Sequence, residues 1–232
     1  MTDVEIVESS PLKKSDYKVV LGFAGAGFIG NTAAMFIARS KRFKLVAHIR
    51  SSYVPPMTLI IEGNPTPSFR IYVDETGSLL FAITENLISA EGCYAISREL
   101  MSWLREKGAK EIYVIDGLPF SAVSSEIKVL GYSNEIDLGK QGIQSIREGA
   151  LQGLNSCIME ECLDKGVPFV YLFIPTNKLT NIDYGGSADA VDVLNKLFKL
   201  GVDTSPLRGG EEAQRRLSEQ KPSGLGKVFK RG

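Results

Sequence analysis

Between residues 18 and 38 the apolar positions change period. Val19, Val20 and Leu21 form a β-branched-rich run of the kind that fills the middle of a parallel sheet. Ile29, Ala33, Phe36 and Ile37 then recur on one helical face. Four glycines, Gly22, Gly25, Gly27 and Gly30, lie between or beside these runs, the last three at G-x-G-x-x-G spacing. The pattern predicts strand, tight turn, helix. A second strand is expected over 44–49, and short apolar runs follow at 57–62, 69–73 and 79–83. The last two flank Asp74-Glu75-Thr76-Gly77, which predicts an antiparallel hairpin. From residue 93 the rhythm is βα again. Ile96, Leu100, Trp103 and Leu104 share a face in a helix over 93–107 that stops at Gly108, and a strand follows over 111–115. A helix is expected over 151–165 ending at Gly166, then a strand over 168–174. The next helix, 188–199, has Ser187 as its N-cap and Val191, Leu194, Leu197 and Phe198 on one face.

The glycine turn is the first candidate for chemistry. Gly25, Gly27, Gly30 and Asn31 can place backbone N–H groups of a helix start around a phosphate, as in a nucleotide site. The same glycines equally serve a close strand-to-helix crossing. A dinucleotide fold also needs an acid at the end of the second strand, and here that strand runs into Arg50-Ser51-Ser52. Arg50 could instead accept a 2′-phosphate, but a hairpin follows where that fold requires another helix. Asp116 closes the 111–115 strand and so sits at the carboxyl edge, where sites of open α/β sheets gather. Asp183 lies in the 176–186 loop, which also leaves a strand end and can flank the glycine turn.

Catalytic machinery is hard to assemble from this chain. His48 is the single histidine and stands inside an apolar strand pattern. No Ser-His-Asp set forms without it, and no G-x-S-x-G is present. Glu62, Glu91 and Asp116 remain as acids. Cys93, Cys157 and Cys162 lack the paired spacing of a zinc site and read as reduced packing residues. We therefore expect no catalytic residues, no metal and no cofactor. Lys plus Arg equals Asp plus Glu at 27 each, so no global field recruits nucleic acid or an anionic membrane. No apolar stretch approaches the ~18 residues of a membrane span, and residues 1–10 are acidic and polar, which predicts a cytoplasmic protein.

The order of these segments resembles the PAC2 family, the proteasome assembly chaperone 2 superfamily, in its archaeal form. The residues that carry the resemblance are the run from Gly22 to Gly30, Pro55-Pro56, Asp116-Gly117, Gly153-Leu154, and Asp183 with Ala188 and Ala190. The resemblance covers about residues 15 to 208. It implies a three-layer α/β/α sandwich with a mixed central sheet, akin to nucleoside phosphorylases. It also implies a homo-oligomer that binds proteasome α subunits or the α ring without turning over nucleotide. On this reading residues 1–14 are a polar extension, 15–208 the domain, and 209–232 a charged helix and a flexible basic tail. Tails of such chaperones that dock on α rings end in hydrophobic-Tyr-any residue, and here Arg231 holds the tyrosine position. The expected partner-binding residues of the tail are Leu225, Val228, Phe229, Lys230 and Arg231. The competing reading is an enzyme or binder of a nucleoside or nucleotide-type phosphate ligand at 25–31.

Overall fold

The computed structural model describes residues 3–120 and 127–219, with side chains to residue 216. The first predicted unit is present: strand β2 (Tyr17–Phe23), a single 3-10 turn, and helix α1 (Ile29–Ser40). Val19, Val20 and Leu21 are wholly buried, because β2 is covered on both faces and flanked by strands on both sides.

After α1 the chain forms β3 (Lys44–Ser51), β4 (Thr58–Ile61), β5 (Asn64–Pro67), β6 (Phe69–Val73) and β7 (Leu79–Thr84). The hairpin expected around residues 74–77 is β6–β7, and the Asp74 carboxylate closes it by accepting from the N–H groups of Ser78 and Leu79 at 2.8 and 2.7 Å. Between the apolar runs expected at 57–62 and 69–73, Asn64–Pro67 pairs with β4 in a separate two-stranded ribbon. Pro65 and Pro67 are tolerated there because a ribbon edge needs no N–H from them. Helix α2 (Ala90–Lys107) starts three residues before the expected position, at a Ser89 cap whose side chain accepts from Gly92 N–H, and it ends at Gly108 with φ 97°. Strands β8 (Ala109–Pro119), β9 (Leu130–Ser133) and β10 (Gln144–Ser145) follow, then α3 (Leu154–Lys165), β11 (Phe169–Thr176), α4 (Tyr184–Phe198) and α5 (Ser205–Glu219).

The nine-stranded sheet runs β1-β3-β6-β7-β2-β8-β11-β9-β10, where β1 is Val4–Glu8. Strands β7, β2, β8 and β11 are parallel, and antiparallel pairs surround them on both sides. From β2 the chain leaves through α1 toward β3, and it reaches β8 on the other side through α2. Right-handed connections in opposite directions put these helices on opposite faces. One apolar cluster accordingly packs α2 and α3 against the sheet, and the other packs α1 and α4, with α5 laid on α4. The expected three layers and mixed sheet are both present.

Further boundaries differ from the sequence reading, including that of β8, which runs past the expected 111–115 at both ends. Residues 1–14 are not a mere extension: β1 pairs with β3 along its length, Val4 is buried, and Glu8 accepts from the Trp103 indole at 2.9 Å and pairs with Lys107 at 2.6 Å. Helix α4 begins four residues before Ala188, and its cap is Asp183, not Ser187. The Ser187 hydroxyl donates back to the Asp183 carbonyl at 2.7 Å. The last helix starts at Ser205, inside the span assigned to the domain, and Arg208 ties it to Asp189 and Asp192 at 2.8 and 2.7 Å.

Candidate functional site

The carboxyl ends of β2, β8 and β11 converge where the chain reverses direction about β2, and the glycine turn lies between them. Gly27 has φ 65°, in the left-handed region that favours glycine. All three glycines of the motif face protein. A Cβ on Gly30 would overlap the Ile115 carbonyl oxygen of β8, and one on Gly25 would overlap the Asp116 carboxylate. One on Gly27 would press at 3.1 Å on Asp183, Thr176 and the Lys178 carbonyl. The turn is thus a close crossing of strand and helix, and its residues Ala24, Gly25, Ala26 and Phe28 also line the cavity beside Asp116. Asn31, two residues into α1, is buried with its Oδ1 unpartnered among the described residues.

Asp183 and Asp116 flank this turn and differ in surroundings. The Asp183 backbone N–H donates to Gly27 O at 2.8 Å. Its carboxylate accepts from Gly186 N–H at 3.0 Å and from the Thr176 hydroxyl at 2.6 Å, and it pairs with Lys178 at 3.4 Å. Every partner belongs to the β11–α4 connection, so Asp183 caps α4 and stitches its loop to the turn.

Asp116 faces a cavity of about 640 Å³. Its Oδ2 accepts from the Asn155 amide at 2.9 Å and the Tyr171 hydroxyl at 3.0 Å, and Oδ1 accepts from Gly117 N–H at 2.8 Å. Burial pushes the carboxyl above the usual range, and these three donors pull against it. Burial and the neighbouring Asp116 also push the Tyr171 hydroxyl well up. The cavity walls are Phe28, Leu87, Leu118, Leu151 and Phe173, with Leu179 at the mouth. Of the described residues lining it, Asp116 alone is charged. Residues 151–153, expected in α3, instead line this cavity, because Gly153 adopts φ 69° and the helix begins after it.

The remaining candidates lie elsewhere. Strands β6 and β7 separate Arg50 on β3 from β2, and the guanidinium is held by Glu5 at 2.5 Å, so it is not placed for a 2′-phosphate at the turn. His48 is also on β3. Burial first, and Arg50 second, lower its pKa, which keeps it neutral near pH 7. Glu62 pairs with Arg39 at the surface, and Glu91 is exposed in the first turn of α2. The three cysteines are buried and unpaired. No three His, Cys, Asp or Glu side chains form a metal-binding group among the described residues, and no helix there is long and apolar enough to cross a membrane. The tail residues Leu225, Val228, Phe229, Lys230 and Arg231 lie outside the described residues. Asn155 and Tyr171 went unnoticed in the sequence. They lie 39 and 55 positions from Asp116, and only the sheet order brings them to it.

The model of the PAC2 family matches residues 19–221. An uncharacterized protein of Methanocaldococcus jannaschii is 25% identical over 220 residues, covering 93% of this chain and 90% of that protein. The crystal structure of Pyrococcus furiosus PbaA, described as an archaeal homolog of proteasome-assembly chaperone, superposes with a TM-score of 0.84 at 26% identity over 94% of this chain and 92% of that one. Pyrococcus furiosus PbaB, described as an archaeal proteasome activator, shares the fold with a TM-score of 0.83 at 17% identity over 94% and 98% of the two chains.

Proposed function

The chain belongs to the PAC2 family, and from that premise we propose that it is a non-catalytic binding protein of the proteasome-assembly-chaperone type. It acts in the cytoplasm as a homo-oligomer and contacts proteasome α subunits or the α ring. The observation that carries this reading is the likeness to PbaA along nearly the full length of both chains. Two features of the molecule support it. The side-chain directions of Gly25, Gly27 and Gly30 are filled by protein atoms, as the close packing of a scaffold turn requires. Among the exposed large apolar side chains, Met57 and Ile60 stand on or beside the β4–β5 ribbon, and Leu87, Phe120, Leu179 and Ile182 along the carboxyl edge. Exposed apolar groups gathered this way mark contact surfaces.

The test is native mass measurement of the purified chain alone and mixed with α subunits from the same cell at about 10 μM. A defined oligomer and a joint complex are expected, with the complex weakened when residues 221–232 are deleted. A monomer that forms no complex with any α subunit overturns the proposal.

A further inference from the structure

We propose that the cavity beside Asp116 binds a small organic amine in its protonated form, with the ammonium N–H on the Asp116 carboxylate and the apolar body of the molecule along the walls. This activity does not depend on contact with α subunits. The carboxylate defines the polar end of the ligand. Its two oxygens offer about four acceptor positions, two on each. The Asn155 amide and the Tyr171 hydroxyl take both on Oδ2, and the Gly117 N–H takes one on Oδ1. One position on Oδ1 is left for a further donor. Asp116 is partly exposed and lines the cavity, and Gly25, also among the lining residues, lays no side chain over that oxygen. All three donors are neutral, and none of the described lining residues is Lys, Arg or His. A carboxylate so placed is costly until a cation reaches it. Burial pushes the Asp116 carboxyl upward for the same reason, and a bound ammonium opposes that push.

The walls define the rest of the molecule. Phe28, Leu118, Leu151 and Phe173 are apolar, and they lead out to Leu87 and Leu179, 67% and 59% exposed. The volume of about 640 Å³ lies within the ~300–1,000 Å³ typical of small-molecule sites, far more than one lysine side chain fills. A diamine would carry its second charge into apolar surroundings. A quaternary ammonium has no N–H for Oδ1. An anion would meet Asp116 with no described lining cation to hold it, and a metal ion would find a single carboxylate. A monoamine with an apolar body fits both the one acid and the space around it.

Calorimetric titration of the full chain with phenylbutylamine, at about pH 7 where an alkylamine is protonated, tests this directly. Binding tighter than about 1 mM is expected. Phenylbutanol, which keeps the body and loses the charge, should bind about tenfold more weakly, and phenylbutyrate should give no heat. Nα-acetyl-lysinamide, which keeps the ammonium on a protein-like side chain, should bind more weakly than phenylbutylamine. Asp116→Asn should bring the amine down to the level of the alcohol, with circular dichroism verifying its fold. Leu179→Lys, at an exposed position, sets a cation at the mouth and leaves the core intact. It should weaken the amine and spare the alcohol, which reads the charge requirement without touching Asp116. Equal binding of amine and alcohol overturns the proposal, as does phenylbutyrate or Nα-acetyl-lysinamide matching the amine. Amine binding unaffected by either variant, or no heat from the amine, overturns it as well.

Discussion

An aspartate stands on each flank of the glycine turn, Asp116 near the carboxyl end of β8 and Asp183 in the connection from β11 to α4, and the fold uses the two in opposite ways. The Asp183 carboxylate is held by Gly186, Thr176 and Lys178, all of the segment joining β11 to α4, and its backbone N–H ties that segment to the turn at Gly27 O. Asp116 borrows its partners from α3 and β11, and one side of it opens on a cavity. The difference arises from chain connectivity. β11 runs directly through a short loop into α4, so local groups close around Asp183. Beyond β8 the chain departs to β9 and β10 and returns at α3, and that excursion leaves space at the strand end. A carboxylate at a strand end is therefore a structural cap where the next helix is close, and a candidate site where the next helix comes late.

The largest expected effect strikes both flanks at once. Gly30→Ala places a methyl on the Ile115 carbonyl of β8, and backbone cannot yield as a side-chain tip can. We expect a loss of about 3 kcal/mol in urea unfolding, with Asp183 and Asp116 both displaced as α1 moves off the sheet. A neutral result would show that the crossing is looser than described and that the turn has room for a ligand.

Next in size is Asp183→Ala, which removes the α4 cap, the Thr176 bond and the Lys178 pair together. A loss of about 2 kcal/mol is expected, and Asp183→Asn should recover roughly half because asparagine also caps helices well. If Asp183→Ala leaves the unfolding midpoint unchanged, Asp183 is not the structural member of the pair.

How much of this was legible beforehand depends on distance along the chain. The unit β2–turn–α1 was plain because Val19 to Leu21 and Ile29 to Ile37 obey different periods. The run Ile112 to Ile115 announced a strand, but Asp-Gly did not end it: β8 continues to Pro119, so Asp116 is still paired with Phe173 of β11. Misreadings arose where a local signal had two meanings. Ser187 is a good cap by type, but Asp183 four residues earlier is equally good, and the apolar face of Ala188 onward does not reveal which is used. Val4–Glu8 looks acidic and polar because an edge strand turns only one side inward, and Glu8 is engaged by Trp103, 95 positions away. Strands β9 and β10, at four and two residues, are too short to show a period. The cavity itself was invisible: Asn155 reads as an ordinary helix residue until the sheet carries α3 to β8.

The smallest effect discriminates most sharply. Asp116→Asn keeps an acceptor for Asn155 and Tyr171, but it turns an NH₂ toward Gly117 N–H, which costs about 1 kcal/mol at any pH. The informative quantity is how the difference between variant and parent changes with pH. Burial raises the Asp116 pKa in the folded state above its unfolded value, so between those two values the folded protein holds the extra proton. Its contribution to stability is then complete below the unfolded pKa and declines as pH rises toward the folded one. Asparagine cannot titrate, and Tyr171, pushed upward, stays neutral across this range. Unfolding measured from about pH 3.5 to about pH 7.5 should therefore show the variant gaining on the parent as pH increases. Should the parent gain on Asp116→Asn instead, the three donors outweigh burial, Asp116 is as firmly held an anion as a salt-bridged carboxylate, and the contrast between the two flanks of the turn disappears.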